Sequence, residues 1–176
     1  MYRKGHFGIM LATWSIVSLP LTTLGHPEMA FIGLFIMAWF EPIPDYDFRV
    51  PYFSHRGVSH TIWTPLFLGG VFGGFLWWFE TKFALIEMGL SHTGWMAASP
   101  IHFAVMGGLF AMIGVFSHFA GDILTPMGLP ILWPYSDERF SIELTTAKSP
   151  LGNALLLLLG IAMASGAFYH LYSALV

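Results

Sequence analysis

The stretch IHFAVMGGLFAMIGVFSHFAGDILTP, residues 101–126, indicates what kind of protein this is. Residues 101–117 are almost entirely apolar, and runs of roughly 20 apolar residues are what the hydrocarbon thickness of a bilayer selects. His118 and Asp122 follow directly, where ionisable groups are costly enough that a function or a partner is the default expectation. The stretch therefore predicts a transmembrane helix that ends in a polar pair.

The rest of the chain repeats this apolar pattern. Of its 176 residues, 56% are hydrophobic and 10% are charged, whereas soluble domains contain about 25% charged residues. Hydropathy delimits five apolar segments, at residues 7–24, 29–40, 62–79, 101–117 and 151–175. The second covers only about 18 Å of a core about 30 Å thick, so it is predicted to be tilted, re-entrant or extended through Pro42. We expect an all-α, polytopic helical membrane protein with about five hydrophobic helices, forming a single integral membrane domain over residues 1–176.

Charge and cysteine content limit the chemistry. The formal net charge is -3 and no basic run occurs, so no direct nucleic-acid binding is expected. Cysteine is absent, which excludes disulfides and thiolate metal sites. Any bound metal must therefore be held by imidazole and carboxylate groups.

The distribution of basic residues predicts the orientation, because lysine and arginine concentrate in short cytoplasmic loops. With five spans and a cytoplasmic N-terminus, only Lys82 lies outside, and the other six basic residues lie inside: Arg3, Lys4, Arg49, Arg56, Arg139 and Lys148. The same topology divides the histidines. One group falls at the cytoplasmic ends (His6, His55, His60, His118) and the other at the opposite ends (His26, His92, His102, His170).

The cytoplasmic histidines have acidic neighbours at informative spacings. His118 and Asp122 are four residues apart, so one helix face presents both to the same ion. His55 and His60 are five apart, about 140° around a helix, so one comes from a loop and the other from a first turn that Ser59 is predicted to cap.

Two further acidic residues lie in a proline-rich segment that is predicted to be extended. Asp45 and Asp47 alternate along a stretch that Pro42 and Pro44 hold out of helix, and one is predicted to be a ligand and the other to orient a histidine. His6 is included because it shares the same side. Four imidazoles and three carboxylates exceed what one four-coordinate zinc needs and suit a two-metal site. The alternative for each residue alone is a solvated side chain.

Two other features concern packing. Gly69, Gly70, Gly73 and Gly74 form two overlapping small-xxx-small pairs, which predict close helix packing. The connection from residue 124 to residue 150 is long enough to cover a site. Around Ile142 its apolar residues alternate with polar ones, which predicts a short strand or interfacial ribbon.

These residues taken in order resemble the YdjM-type family of inner-membrane metal-dependent hydrolases, which are also described as LexA-binding, inner membrane-associated hydrolases. The resemblance covers most of the chain, through His6 and the stretches PIPDYDF, SHRGVSHT and SHFAGDILTPMGLPILWP. The matching positions are Asp45, Asp47, His55, Arg56, Gly57, His60, His118, Asp122, Thr125, Gly128, Trp133 and Pro134. What the resemblance implies is a metal site more than a named reaction.

Our leading hypothesis is a membrane-bound metal-dependent hydrolase of a phosphoester or lipid-linked substrate, which uses a metal-activated water at the cytoplasmic membrane face. Zinc is the expected divalent cofactor, as one or two ions. The predicted metal ligands are His6, Asp45, His55, His60, His118 and Asp122. Asp47 either orients a ligand or accepts the proton of the water, and Arg56 holds phosphate oxygens through its planar guanidinium group.

Two other functional classes stay open. In the first, the chain is a membrane-embedded regulatory or binding protein with a regulatory protein partner and a structural, coordinatively closed metal site. In the second and weaker one, it is a metal or proton transporter, although transporters usually place ionisable groups near the midplane. In each case we expect a multi-pass protein of the cell inner (cytoplasmic) membrane with membrane lipids as partners.

Overall fold

The computed structural model describes residues 1–51, 55–83 and 99–175 and is all-helical over those ranges. Five α-helices correspond to the five apolar segments: α1 (Arg3–Thr23), α2 (Pro27–Phe40), α3 (Trp63–Phe83), α4 (Pro100–Ile123) and α5 (Pro150–Leu175). Two 3₁₀ segments, Ile43–Arg49 and Val58–His60, connect α2 to α3. The predicted fold class is confirmed.

Three of the described helices, α1, α4 and α5, are long and apolar enough to cross a bilayer. Helix α2 has 14 residues and therefore extends about 21 Å, which confirms the short second segment. It begins at Pro27, where the missing N–H costs nothing because the first turn has no acceptor for it.

The helices alternate in direction, so each connection returns the chain to one end of the bundle or the other. Helix α1 packs against α5 and α2, and α3 packs mainly against α4. Trp14 in α1 is fully buried and its indole N–H donates to the Ala30 carbonyl of α2 at 2.7 Å. The core around it includes Met10, Met37 and Phe110.

The glycine pattern of α3 is half confirmed. A Cβ at Gly73 would lie 2.9 Å from the Ala104 carbonyl oxygen, and one at Gly69 would lie 2.8 Å from the Gly108 carbonyl oxygen, so these two positions bring α3 against α4. Gly70 and Gly74 face open space. Among the described residues, therefore, only the pair Gly69 and Gly73 is used for packing.

The connection after α4 forms less regular structure than predicted. Leu129 and Phe140 exchange two backbone hydrogen bonds, at 3.1 and 3.0 Å, but they form an isolated bridge and the described residues contain no strand. Ile142 is 66% exposed, so the alternating segment does not pack on a core. The connection is joined to the start of α3 instead, where the Ile62 amide donates to the Ile131 carbonyl at 2.9 Å.

Candidate metal centre

One end of the helical bundle collects ionisable side chains from four separate parts of the chain. His6 lies in the second turn of α1, and His118 and Asp122 lie in the last turns of α4. Asp45 and His60 come from the two 3₁₀ segments, whose prolines and glycine prevent a continuous helix between α2 and α3. We call these five residues the candidate metal centre.

Four of the six separations among the donor atoms at its middle are close to those of a tetrahedral site, and all six are within 4.8 Å. His118 Nε2 lies 3.4 Å from Asp122 Oδ2 and 3.4 Å from Asp45 Oδ1. His60 Nε2 lies 3.4 Å from Asp122 Oδ2 and 3.8 Å from Asp45 Oδ1. Ligands held about 2.0–2.1 Å from a zinc ion are separated from one another by about 3.3–3.4 Å. These residues therefore fit a divalent cation with little rearrangement.

The same atoms lack other partners. His60 Nε2, His118 Nε2 and Asp122 Oδ2 are buried and make no hydrogen bond, and both ring nitrogens of His6 are in the same state. Buried polar atoms are normally paired because an unsatisfied group costs about 1–3 kcal/mol. Three such atoms pointing at one place could hold a metal ion.

The far side of each central imidazole is held by an oxygen. His118 Nδ1 lies 3.2 Å from Glu41 Oε1. His60 Nδ1 lies 2.9 Å from Ser59 Oγ, whose hydroxyl donates to Asp47 at 2.8 Å. Metal-bound histidines usually donate their other N–H to a carboxylate or a carbonyl. Ser59 therefore orients His60, and the prediction that it caps α3 is wrong, because α3 begins four residues later, at Trp63.

His6 is stacked on His118, with ring centroids 4.0 Å apart and an interplanar angle of 1°. Its Nε2 lies 3.4 Å from Asp122 Oδ1 and its Nδ1 lies 4.0 Å from Glu41 Oε1. His6, Glu41 and His118 thus form a second group whose donor atoms could hold an ion.

Asp47 and His55 form a pair beside the centre. His55 Nδ1 lies 3.1 Å from Asp47 Oδ1, and its ring stacks on Phe48 with centroids 3.7 Å apart. Asp47 also accepts from the backbone amide of Arg56 at 3.1 Å. The Asp47 carboxylate therefore already has three hydrogen-bond partners: His55, the Arg56 amide and Ser59. The His55 ring itself is half-buried.

Arg56 links the two acidic parts of the site. Its buried guanidinium donates to Asp122 Oδ1 and, at 2.9 Å, to Thr125 Oγ1. Its backbone has φ of 55°, a left-handed conformation that is uncommon for a residue other than glycine. Two hydrogen bonds hold the backbone there: the Arg56 amide donates to the Asp47 carboxylate, and the Arg139 guanidinium donates to the Arg56 carbonyl at 3.2 Å.

Electrostatics favour the protonation states that metal binding needs at His60 and Asp45. Burial, the largest effect, lowers the pKa of His60 below its ordinary value, although Asp122 and Asp47 oppose this. Burial alone would raise the pKa of Asp45, but the neighbouring His118 ring, 3.4 Å away, outweighs it and lowers that pKa. A neutral His60 and an ionised Asp45 are the forms that bind a cation.

Within the part of the chain that the structure describes, the centre is open on the side of Asp45. The Asp45 side chain is 30% exposed, whereas those of His60, His118 and Asp122 are at most 1% exposed. A cavity of about 400 Å³ reaches Asp45 from outside. Its walls include Phe48, His55, Arg56, Thr125 and Lys148.

The structure brings every predicted site residue to this end of the bundle: His6, Asp45, Asp47, His55, Arg56, His60, His118 and Asp122. His55 is set apart from the middle of the centre, in a separate group with Asp45 and Asp47. Of the other histidines, His26, His102 and His170 lie near the opposite helix ends, and His92 lies outside the described residues. Sequence reasoning missed Glu41, although a charged residue directly after an apolar helix was a signal for it.

Comparison with known proteins gives one match. A family model described as YdjM inner membrane protein matches residues 1–176. Neither the curated proteins nor the solved structures contain a match to this chain.

Proposed function

Because this chain belongs to the YdjM inner membrane protein family, we propose that it is a membrane-bound metal-dependent hydrolase that cleaves a phosphoester, most simply in a lipid-linked substrate. The single observation that carries the proposal is the set of buried, unpartnered donor atoms around a tetrahedral position, with one open side. A bound divalent ion supplies a water of lowered pKa and polarises a phosphoryl oxygen.

We assign one zinc ion to Asp45, His60, His118 and Asp122, the group whose donor atoms all lie within 4.8 Å of one another. The guanidinium of Arg56 already takes the other oxygen of Asp122, so its positive charge disfavours a second cation there. His6 then supports His118 by stacking and does not ligate the ion.

The chain also offers groups for the proton and the substrate. Asp47 accepts from Nδ1–H of His55, which leaves Nε2 of that ring able to accept a proton from a water in the cavity. Arg56 lines the same cavity and its buried Nε–H has no hydrogen-bond partner, so it can donate to a phosphoryl oxygen. We propose these roles for His55 and Arg56 in place of ligation by His55.

The location of the charges supports a cytoplasmic orientation of the centre. Six basic residues lie at the end of the bundle that carries it, namely Arg3, Lys4, Arg49, Arg56, Arg139 and Lys148, and Lys82 lies near the opposite end of α3. The positive-inside tendency then places the start of α1 and the cavity in the cytoplasm, in a multi-pass arrangement. Membrane lipids would reach the cavity from the headgroup region.

Metal analysis combined with turnover assays tests the proposal. Purified wild-type protein is expected to retain about one zinc per chain and to hydrolyse a long-chain phosphatidic acid or a polyprenyl phosphate. Asp45→Asn is expected to lose both the metal and the activity, whereas the control Asp137→Asn, in the connection after α4, is expected to keep both. Full metal content and full turnover in Asp45→Asn would reject the site.

A structural metal site is the second candidate, and a specific observation favours it. Four protein donors already complete a tetrahedron, whereas catalytic zinc sites usually keep one position for water. In that case the ion joins α4 to the two 3₁₀ segments of a regulatory membrane protein. Removal of the ion would then unfold the chain, and no phosphoester would be hydrolysed.

A further inference from the structure

We propose that Glu41 is a positioning residue, whose carboxylate fixes the tautomer of His118 and directs Nε2 of that ring at the ion. The inference rests on the metal site of the proposed function but not on hydrolysis. Glu41 follows α2 directly and is 8% exposed, so its charge is almost completely removed from water.

The tautomer follows from the hydrogen bond. An ionised carboxylate can only accept, and Glu41 Oε1 lies 3.2 Å from His118 Nδ1, so Nδ1 carries the proton. Nε2 of a neutral ring then has a lone pair, and it is this atom that lies 3.4 Å from both Asp45 and Asp122 without a hydrogen bond. The other tautomer would direct an N–H into the centre and a lone pair at Glu41.

The position of Glu41 argues against ligation of the ion assigned to Asp45, His60, His118 and Asp122, and against a role in helix stability. It lies at the opposite edge of the His118 ring from Asp122, so one ion cannot be bound at both edges. A negative charge at the end of a helix is also disfavoured by the helix dipole. Burial of this carboxylate is therefore offset mainly by the imidazoles that it contacts.

The stacked ring of His6 extends the same arrangement. Its Nδ1 edge faces Glu41 at 4.0 Å and its Nε2 edge faces Asp122 at 3.4 Å, as in His118. Two carboxylates therefore lie at opposite edges of two parallel imidazoles. The charge of Glu41 favours Nδ1–H in both rings.

Two variants separate positioning from ligation. Glu41→Leu removes the acceptor, whereas Glu41→Gln keeps a carbonyl oxygen that can still accept from Nδ1–H. The matched control is Glu28→Gln, in the first turn of α2, where the carboxylate lies 3.9 Å from His26. Zinc affinity is measured by competition with a chelator. The tautomer of His118 is measured by ¹⁵N NMR of the zinc-free protein, labelled with ¹⁵N-histidine and assigned with His118→Asn, at a pH high enough for the ring to be neutral.

Zinc affinity is expected to fall by about 10–100-fold in Glu41→Leu and by at most about tenfold in Glu41→Gln, and to stay unchanged in the control. The ¹⁵N signal of His118 should report Nδ1–H in wild type and a substantial Nε2–H fraction in Glu41→Leu. An unchanged tautomer in a folded Glu41→Leu protein would overturn the inference. It would also be overturned if both variants lost zinc and the cobalt(II) spectrum of Glu41→Gln differed from that of wild type, because such a difference marks a metal ligand. A wild-type protein that binds zinc but hydrolyses nothing would reject the proposed hydrolysis alone.

Discussion

The buried pair of Arg56 and Asp122 should dominate the stability of the metal-free protein. Their side chains are 3% and 1% exposed, and no solvent screens the charge that remains when one partner is removed. Breaking such a pair on one side typically costs about 3–5 kcal/mol. Arg56→Met and Asp122→Asn are each expected to lower the free energy of unfolding by about that amount, with Arg56→Met at the lower end because the Met1 ammonium, 3.0 Å from Asp122 Oδ1, still faces that carboxylate.

The double variant gives the decisive value. Because the charges of Arg56 and Asp122 are then both absent, its loss should fall short of the sum of the single losses by about 2–3 kcal/mol, near the upper limit of measured coupling energies. Unfolding is followed by far-UV circular dichroism in mild detergent with increasing SDS. EDTA is present throughout, since zinc bound to the folded state would add its own stabilisation.

Arg49→Met is the matched control. Arg49 lies over the Tyr46 ring at 5.3 Å from its centroid, at the surface of the first 3₁₀ segment, and its loss should cost less than about 1 kcal/mol. Additive losses in the double variant, or an Arg56→Met protein as stable as Arg49→Met, would refute the reasoning from burial.

Three further predictions concern packing, pH and the orientation of His60. Gly108→Ala should lower the free energy of unfolding in the same SDS assay by about 1–3 kcal/mol, because its Cβ would lie 2.7 Å from the Gly69 carbonyl oxygen. The control Gly70→Ala should be tolerated, and equal effects of the two variants would contradict the assigned helix contact. Since the pKa of His60 is lowered on folding, its contribution to stability is fully present above about pH 6.5 and is lost as the pH falls through the folded-state pKa. Wild type should therefore lose more stability than His60→Gln between about pH 7.5 and 5, and parallel curves of stability against pH would contradict this. Ser59→Ala should weaken zinc binding about tenfold in chelator competition, because the ring of His60 loses its 2.9 Å partner; an unchanged affinity would show that Ser59 does not orient it.

The helices were predictable because their signals are local. Apolar segments such as residues 101–117 exclude charge over a bilayer thickness, and α4 forms there and continues to Ile123. The gathering of His6, His60, His118 and Asp122 at one end also followed, since helices that alternate in direction return to the same end at every second connection.

Other features could not be obtained from local patterns. Ser59 resembles a helix cap in sequence, but its hydroxyl bonds Asp47 and His60 across the 3₁₀ segments. All four glycines of α3 have the spacing of a packing face, and only the direction of α4 selects Gly69 and Gly73. Glu41 has no motif of its own, and its role depends on a ring 77 positions away.

The sequence by itself determined that this chain forms apolar helices and that imidazoles and carboxylates share one end of them, because hydropathy and spacing act along the chain. Only the tertiary structure decided which nitrogen of each ring faces the centre and which carboxylate oxygen of Asp122 accepts from Arg56. It also decided that Glu41 belongs to the site. Those features depend on distances of about 3 Å between segments far apart in sequence. Such distances are set by helix packing, to which all of the helices contribute.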